Sequence, residues 1–72
     1  MNIIAATLTA LENDCAVTYP RLHEMGIAVL PETSLSENYY AVIDIATQKQ
    51  IGRRWAPEAQ DILSDDWTLL RK

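Results

Sequence analysis

The amino-acid sequence predicts one small α+β domain: an antiparallel β-sheet with an N-terminal helix and a short helix before the last strand. Three observations predict it. Apolar residues recur at helical spacing near the N-terminus, residues 39–46 form an apolar and aromatic run of strand length, and Pro57-Glu58 is typical of a helix start. A length of 72 residues suits a single domain over residues 1–72.

Residues 2–13 are predicted to form the first helix. Asn2 is a favourable N-cap, and an end at residues 13–14 is expected because Asn tolerates the left-handed conformation common after helices. Three apolar residues share one face at helical spacing and are expected to pack on the core: Ile4, Leu8 and Leu11.

Strands are predicted next, at residues 15–19, 26–30, 39–46 and 51–56. Pro20 and Pro31 are expected to close the first two, since proline cannot donate to a ladder. The segments between the strands, residues 21–25, 32–38 and 47–50, are predicted to be loops or turns. In the third strand, alternation places four residues on one face: Tyr39, Ala41, Ile43 and Ile45.

The C-terminal quarter predicts a short helix and a last strand. Pro57 suits the first helical position, and the carboxylate of Glu58 suits the first turn. The apolar side of this helix is expected to comprise Ala59, Ile62 and Leu63. The helix should end near residues 64–65, and residues 67–71 are predicted to form the strand.

Charge and composition limit the classes of partner. The net charge is −4, with −5 on residues 1–48 and +1 on residues 49–72. We expect no duplex nucleic acid as a partner, because affinity there depends on neutralising phosphates. A small anionic ligand needs only two or three local cations and therefore remains a possible partner.

No apolar run approaches the ~20 residues of a membrane span, and the N-terminus is not typical of a signal peptide. We therefore expect a cytoplasmic protein without membrane contact.

Residues typical of catalysis are sparse. Cys15 lies in a predicted apolar strand and His23 in a loop, and their spacing matches no nucleophile–base signature. The acidic residues Asp61, Asp65 and Asp66 suit capping and turn roles better than acid–base catalysis. We therefore expect no enzymatic activity, no metal site and no cofactor.

An aromatic and basic cluster is the best candidate for a binding site. Arg53, Arg54 and Trp55 are consecutive, on a strand predicted to lie next to Tyr39 and Tyr40, of which Tyr40 is the candidate site residue. Tryptophan can stack on a base and arginine can bind phosphate. Trp67 is expected to be a core residue, whereas Trp55 suits the core and a binding site equally well.

The C-terminal motif resembles that of a phage family. Its residues are Asp44, then Trp55-x-Pro57-x-x-x-Asp61-Ile62-Leu63-x-x-Asp66-Trp67-x-Leu69. The pattern is similar to the closing motif of the Thoeris anti-defence proteins of the second type and their phage and prophage relatives. The resemblance covers residues 42–72 well and the first helix loosely. Glu58 stands where that family often has Ser or Thr.

The resemblance implies a protein that sequesters a cyclic nucleotide immune signal without degrading it. The signal would be a cyclic ADP-ribose isomer or a cyclic dinucleotide, and the protein a homo-oligomer, dimer or tetramer, in the bacterial host cell. Trp55 would stack on the base, with Arg53 or Arg54 near phosphate. The family carries a Gly-Trp pair where this chain has Tyr19-Pro20, which makes Tyr19 the candidate substitute.

Two alternatives remain open at the level of sequence. The acidic N-terminal two-thirds of the chain could serve a protein–protein inhibitor of a host defence effector, by facing a basic surface. The chain could also be a prophage remnant that keeps the fold and has lost ligand binding.

Overall fold

The computed structural model describes residues 1–33 and 38–70, and over those ranges the chain is an α+β domain. The predicted fold class is confirmed. The elements, in chain order, are α1 (Ile3–Asn13), β1 (Ala16–Thr18), α2 (Pro20–Glu24), β2 (Ile27–Thr33), β3 (Asn38–Asp44), β4 (Gln50–Gly52), α3 (Ala59–Leu63) and β5 (Thr68–Leu70). The strands form one antiparallel sheet in the order β4-β3-β2-β1-β5.

Helix α1 has the predicted extent and caps, but it buries a different face. The Asn2 side chain accepts a hydrogen bond from the backbone N–H of Ala5 at 2.8 Å, and Asp14 ends the helix in the left-handed conformation. The buried residues are Ile3, Ala6 and Ala10. The predicted core face is wrong, because Ile4, Leu8 and Leu11 are exposed.

Strand β2 is longer than predicted and runs through Pro31, whereas β3 ends at Asp44 and not at residue 46. The pairing extends from Ile27 opposite Asp44 to Thr33 opposite Asn38. Pro31 lies opposite Tyr40, whose carbonyl accepts a hydrogen bond from Trp55 on the far side of β3. Tyr40 therefore forms a non-hydrogen-bonded pair with Pro31, and the missing proline N–H removes no bond to β3. The part of the predicted 32–38 connection at residues 34–37 lies outside the described residues.

Residues 20–24 form helix α2, where a loop was predicted. Pro20 occupies the first helical turn after Tyr19, where its missing N–H leaves no intrahelical bond unmade. Pro20 therefore both follows the end of strand β1 and starts helix α2. Leu22 is buried in the core cluster, so α2 is held by packing.

The C-terminal elements are shorter than predicted. Strand β4 ends at Gly52, α3 begins after its N-cap Glu58 and not at Pro57, and β5 begins at Thr68. The expected apolar side of α3 is wrong: Ala59, Ile62 and Leu63 are exposed, and the buried residue of α3 is Asp61. The predicted end of the last strand at Arg71 lies outside the described residues.

The core lies between one face of the sheet and the helices. Trp67 is fully buried, as predicted, and it packs with Tyr19 at a ring-centroid distance of 4.5 Å. The remaining buried members of the cluster are Ile3, Ala6, Ala10, Val17, Leu22 and Val29. Within the described residues no helix is long and apolar enough to cross a membrane.

Candidate functional site

The segment after β4 carries Trp55 back onto the sheet. Arg54 has a φ of 58°, in the left-handed region, so the chain turns there. The next N–H, of Trp55, then donates to the Tyr40 carbonyl at 2.9 Å, which continues the pairing along β3. The predicted proximity of Trp55 to Tyr40 is therefore present, although Trp55 lies in a loop and not in a strand.

Three aromatic rings form a continuous edge-to-face arrangement. The Trp55 ring lies 5.5 Å from Tyr40 and 6.2 Å from Trp67, at interplanar angles of 85° and 72°. Such edge-to-face pairs add about 0.5–1.5 kcal/mol beyond the area they bury. Trp55 is half-buried against the core cluster, so it is anchored on one side and open on the other.

The hydroxyl of Tyr40 ties this arrangement to helix α1. It lies 2.6 Å from the hydroxyl of Thr7, whose oxygen also lies 2.8 Å from the carbonyl of Ile3. Since Thr7 donates to Ile3, Tyr40 donates to Thr7, and the orientation of the tyrosine ring is fixed. The aromatic surface is thus formed before any ligand arrives.

A surface groove of about 350 Å³ runs beside these rings, at the lower end of the volume of small-molecule sites. Its walls come from α1, the β2–β3 hairpin and the segment after β4. The described residues that line it are Thr7, Leu11, Pro31, Glu32, Thr33, Asn38, Tyr39, Tyr40, Arg54 and Trp55. It brings together three of the predicted site residues: Trp55, Arg54 and Tyr40.

Arg53, the fourth predicted residue, contacts the groove through a neighbour. Its guanidinium carbon lies 5.3 Å from the ring centroid of Tyr39, and Nη2 donates to the Tyr39 hydroxyl at 3.4 Å. Tyr39 itself lines the groove. Arg53 therefore supports one wall, whereas Arg54 belongs to the lining.

Tyr19, the fifth predicted residue, lies in the core and not at the groove. It is 5% exposed, and its hydroxyl donates a hydrogen bond to the carboxylate of Asp61. The same carboxylate accepts from Arg21 at 2.9 Å and from the Glu58 N–H at 2.7 Å. Tyr19 is thus part of a buried polar cluster that holds α3 against β1 and α2.

This cluster fixes the ionisation of two groups. Burial raises the pKa of Tyr19, and the hydrogen bond to Asp61 raises it further. Burial also opposes ionisation of Asp61, but hydrogen bonds from Tyr19, the Glu58 N–H and Arg21 outweigh it, so the pKa of Asp61 lies below its ordinary value. Asp61 is therefore a structural carboxylate, which agrees with its predicted capping role.

Sequence reasoning missed the groove residues of α1 and β2. Thr7 and Leu11 face the groove because α1 lies across the sheet, and no local pattern reports how a helix crosses a sheet. The sequence predicts that Tyr39 lies beside the aromatic and basic cluster but does not identify it as a site residue. Glu32 and Asn38 come together because they flank the hairpin end, which the pairing of β2 with β3 determines.

Comparison with protein-family models, with curated proteins and with solved structures found no match for this chain. Among the described residues, no group of three or more His, Cys, Asp or Glu side chains is placed to hold a metal ion. The groove and its chemistry are therefore the features of the molecule that bear on its function.

Proposed function

We propose that this protein binds a small cyclic nucleotide in the groove beside Trp55 and sequesters it without degrading it. The ligand class is a cyclic ADP-ribose isomer or a cyclic dinucleotide. The observation that carries the proposal is the fixed Trp55–Tyr40 pair, which lines a groove together with a cation, Arg54. The proposal includes a homo-oligomeric state and action against an immune signal in a bacterial host cell.

The lining matches the parts of a nucleotide. An aromatic ring that is anchored on one side offers its open side to a base, and stacking of this kind tolerates different bases. The guanidinium of Arg54 is a bidentate donor suited to phosphate. Thr33 and Asn38 add polar groups that can bind ribose hydroxyls or base edges. Sequestration needs only these interactions.

Calorimetry with cyclic ADP-ribose isomers and a panel of cyclic dinucleotides tests the proposal. We expect saturable heat with at least one compound, and recovery of that compound intact after heat denaturation of the protein. Absence of heat with every compound at ~50 μM protein would contradict the proposal. Recovery of a cleaved product would contradict sequestration and indicate an enzyme.

Substitutions in the groove locate the binding site. Trp55→Ala should weaken binding by about 1–3 kcal/mol, the usual contribution of one stacked base. Because Trp55 also packs on the core, Trp55→Phe is the companion variant, and it should retain the fold and part of the affinity. Circular dichroism checks the fold of each variant. An unchanged affinity in folded Trp55→Ala would place the ligand elsewhere.

The two arginines provide a matched pair. Arg54→Gln removes a charge from the lining, and we expect at least tenfold weaker binding of an anionic ligand. Arg53→Gln removes the same charge one residue away, where the side chain contacts Tyr39, and we expect a change of less than about threefold. Equal effects of the two substitutions would indicate a general charge effect and not a phosphate contact by Arg54.

A further inference from the structure

Helix α1 carries a second apolar face that points away from its own core. The residues Ile4, Leu8 and Leu11 are 70%, 58% and 40% exposed. At 100° per residue they lie about 130° around the helix axis from Ile3, Ala6 and Ala10, the buried residues. A helix that is apolar on both sides is normally covered on both sides.

The spacing of this outer face is that of a helix–helix seam. The steps from Ile4 to Leu8 and from Leu8 to Leu11 are four and three residues, which fits the a/d spacing of a heptad. No side chain from Met1 to Leu11 is charged, although the outer face of an isolated helix usually is. The sequence of α1 thus suits contact with another helix, and no element of the described chain covers this face.

We infer that the outer face of α1 binds the same face of a second copy in an antiparallel α1–α1 pair. This inference rests on the oligomeric part of the proposed function and is independent of its ligand. An isologous pair needs one self-complementary surface, and a seam of the three apolar residues Ile4, Leu8 and Leu11 is such a surface. In the antiparallel register, Ile4 lies beside Leu8 of the partner subunit, and Leu11 lies near the start of the α1 helix of the partner subunit.

Charge complementarity favours the antiparallel orientation. The acidic residues Glu12 and Asp14 follow the seam at its C-terminal end. In an antiparallel pair they approach the N-terminal end of the opposite helix, where the macrodipole attracts negative charge. A parallel pair would bring the two Glu12 carboxylates together and align the two macrodipoles unfavourably.

The outer face of α1 alone gives less area than a stable pair needs, so we expect the contact to continue past Leu11 to the edge of the ligand groove. A specific interface buries about 800 Å² on each partner, which is about one-sixth of the 4786 Å² surface of this chain. The outer face of an 11-residue helix, about 16 Å long, is smaller than that. Leu11 belongs both to the seam and to the lining of the groove, so the first turn of the partner subunit borders the groove beside Leu11.

Native mass and a matched pair of variants test the interface. We expect wild-type protein at ~50 μM to have at least twice the 8.1 kDa mass of one chain, and Leu8→Glu to have 8.1 kDa with an unchanged circular dichroism spectrum. Leu63→Glu is the control, since Leu63 is 80% exposed on α3. A monomeric wild type, an associated Leu8→Glu or a monomeric Leu63→Glu would overturn the inference.

Disulfide trapping tests the orientation. In a Cys15→Ser background, Ile4→Cys chains mixed with Leu8→Cys chains should form mainly the mixed disulfide under mild oxidation. Predominant disulfides between identical chains would contradict the antiparallel register. This result does not depend on any ligand.

Ligand binding separates failure of the interface from failure of the proposed function. If the partner subunit borders the groove, Leu8→Glu should bind a ligand at least fivefold more weakly than Leu63→Glu. A dimer that binds no cyclic nucleotide would keep the interface and reject the proposed ligand. A monomer that binds a cyclic nucleotide would support the proposed ligand and reject the interface. Equal ligand affinity of Leu8→Glu and Leu63→Glu would reject the inference that the partner subunit borders the groove.

Discussion

Asp61 carries a negative charge in the interior because the chain surrounds it with donors. It is 1% exposed, and it accepts hydrogen bonds from Tyr19, Arg21 and the Glu58 N–H. Arg21 also contacts Glu58 at 3.2 Å, so one arginine bridges two acidic residues of the α3 cap. An isolated buried carboxylate would be strongly unfavourable, whereas this one links two segments, residues 19–21 and 58–61, that are far apart in sequence.

The lowered pKa of Asp61 predicts that acid destabilises the fold. The unfolded chain binds a proton near the ordinary value of 3.8, and the folded chain binds it only at lower pH. The contribution of Asp61 is therefore present above the unfolded pKa and lost as pH falls through the folded pKa. In urea unfolding, stability should fall as pH drops from about 5 to below the ordinary value of 3.8. At pH 7, Asp61→Asn should cost about 2 kcal/mol, since it weakens a partly buried ion pair.

Asp65→Asn is the matched control for this pH dependence, because Asp65 is an exposed aspartate near the end of α3. It should keep the wild-type slope of stability against pH and the wild-type stability at neutral pH. Asp61→Asn should have a shallower slope. Equal slopes in Asp61→Asn and wild type would show that acid acts through other carboxylates.

At the scale of elements, periodicity predicts where α1 lies but not which side it buries. Two sets of residues fit helical spacing equally well. One set is Ile4, Leu8 and Leu11, and the other is the buried set Ile3, Ala6 and Ala10. The larger side chains were expected inside, but alanines face the sheet and let the helix approach it closely. In α3 the capping carboxylate of Asp61 points inward, and this turns the apolar residues outward. Both errors have the same origin, since the buried side depends on the neighbouring element.

The sequence predicts those site residues that are adjacent in the chain, but not those that the fold brings together from distant segments. Arg54 and Trp55 are adjacent in sequence, and their position beside Tyr40 follows from the β3–β4 connection. Thr7 reaches Tyr40 across 33 residues, and Tyr19 reaches Asp61 across 42. No spacing rule reports such pairs. The family resemblance makes Tyr19 a candidate substitute for a tryptophan of the binding site, whereas the structure places it in the core.

The C-cap of α1 allows a prediction at the same scale. Asp14 has a φ of 51°, which costs an L-residue roughly 1–2 kcal/mol and costs glycine nothing. Asp14→Gly should therefore stabilise the fold by about 0.5–1 kcal/mol in urea unfolding. Glu12→Gly, inside the last turn of the same helix, should instead destabilise it by a similar amount. If Asp14→Gly lowers the stability, the Asp14 carboxylate stabilises the fold by more than the left-handed backbone conformation of Asp14 costs.

At the scale of the whole molecule, the chain has more apolar surface than its own core uses. A chain of this size buries only about 60% of the surface that it exposes when unfolded, so its core alone gives limited stability. Large apolar side chains remain exposed on two helices, Ile4 and Leu8 on α1 and Leu63 on α3. Those of α1 lie at heptad spacing beside the groove. Folding, self-association and ligand binding are thus expected to depend on the same helix.

This dependence predicts that thermal stability varies with protein concentration. If association involves folded chains only, mass action stabilises the fold as concentration rises. A tenfold increase adds about 1.4 kcal/mol for each dimer, which corresponds to about 3–5 °C in Tm for a domain of this size. Wild-type protein and Leu63→Glu should show this shift between ~5 and ~50 μM, and Leu8→Glu should not. A wild-type Tm that is independent of concentration would mean that the apolar face of α1 stays exposed when the protein is folded.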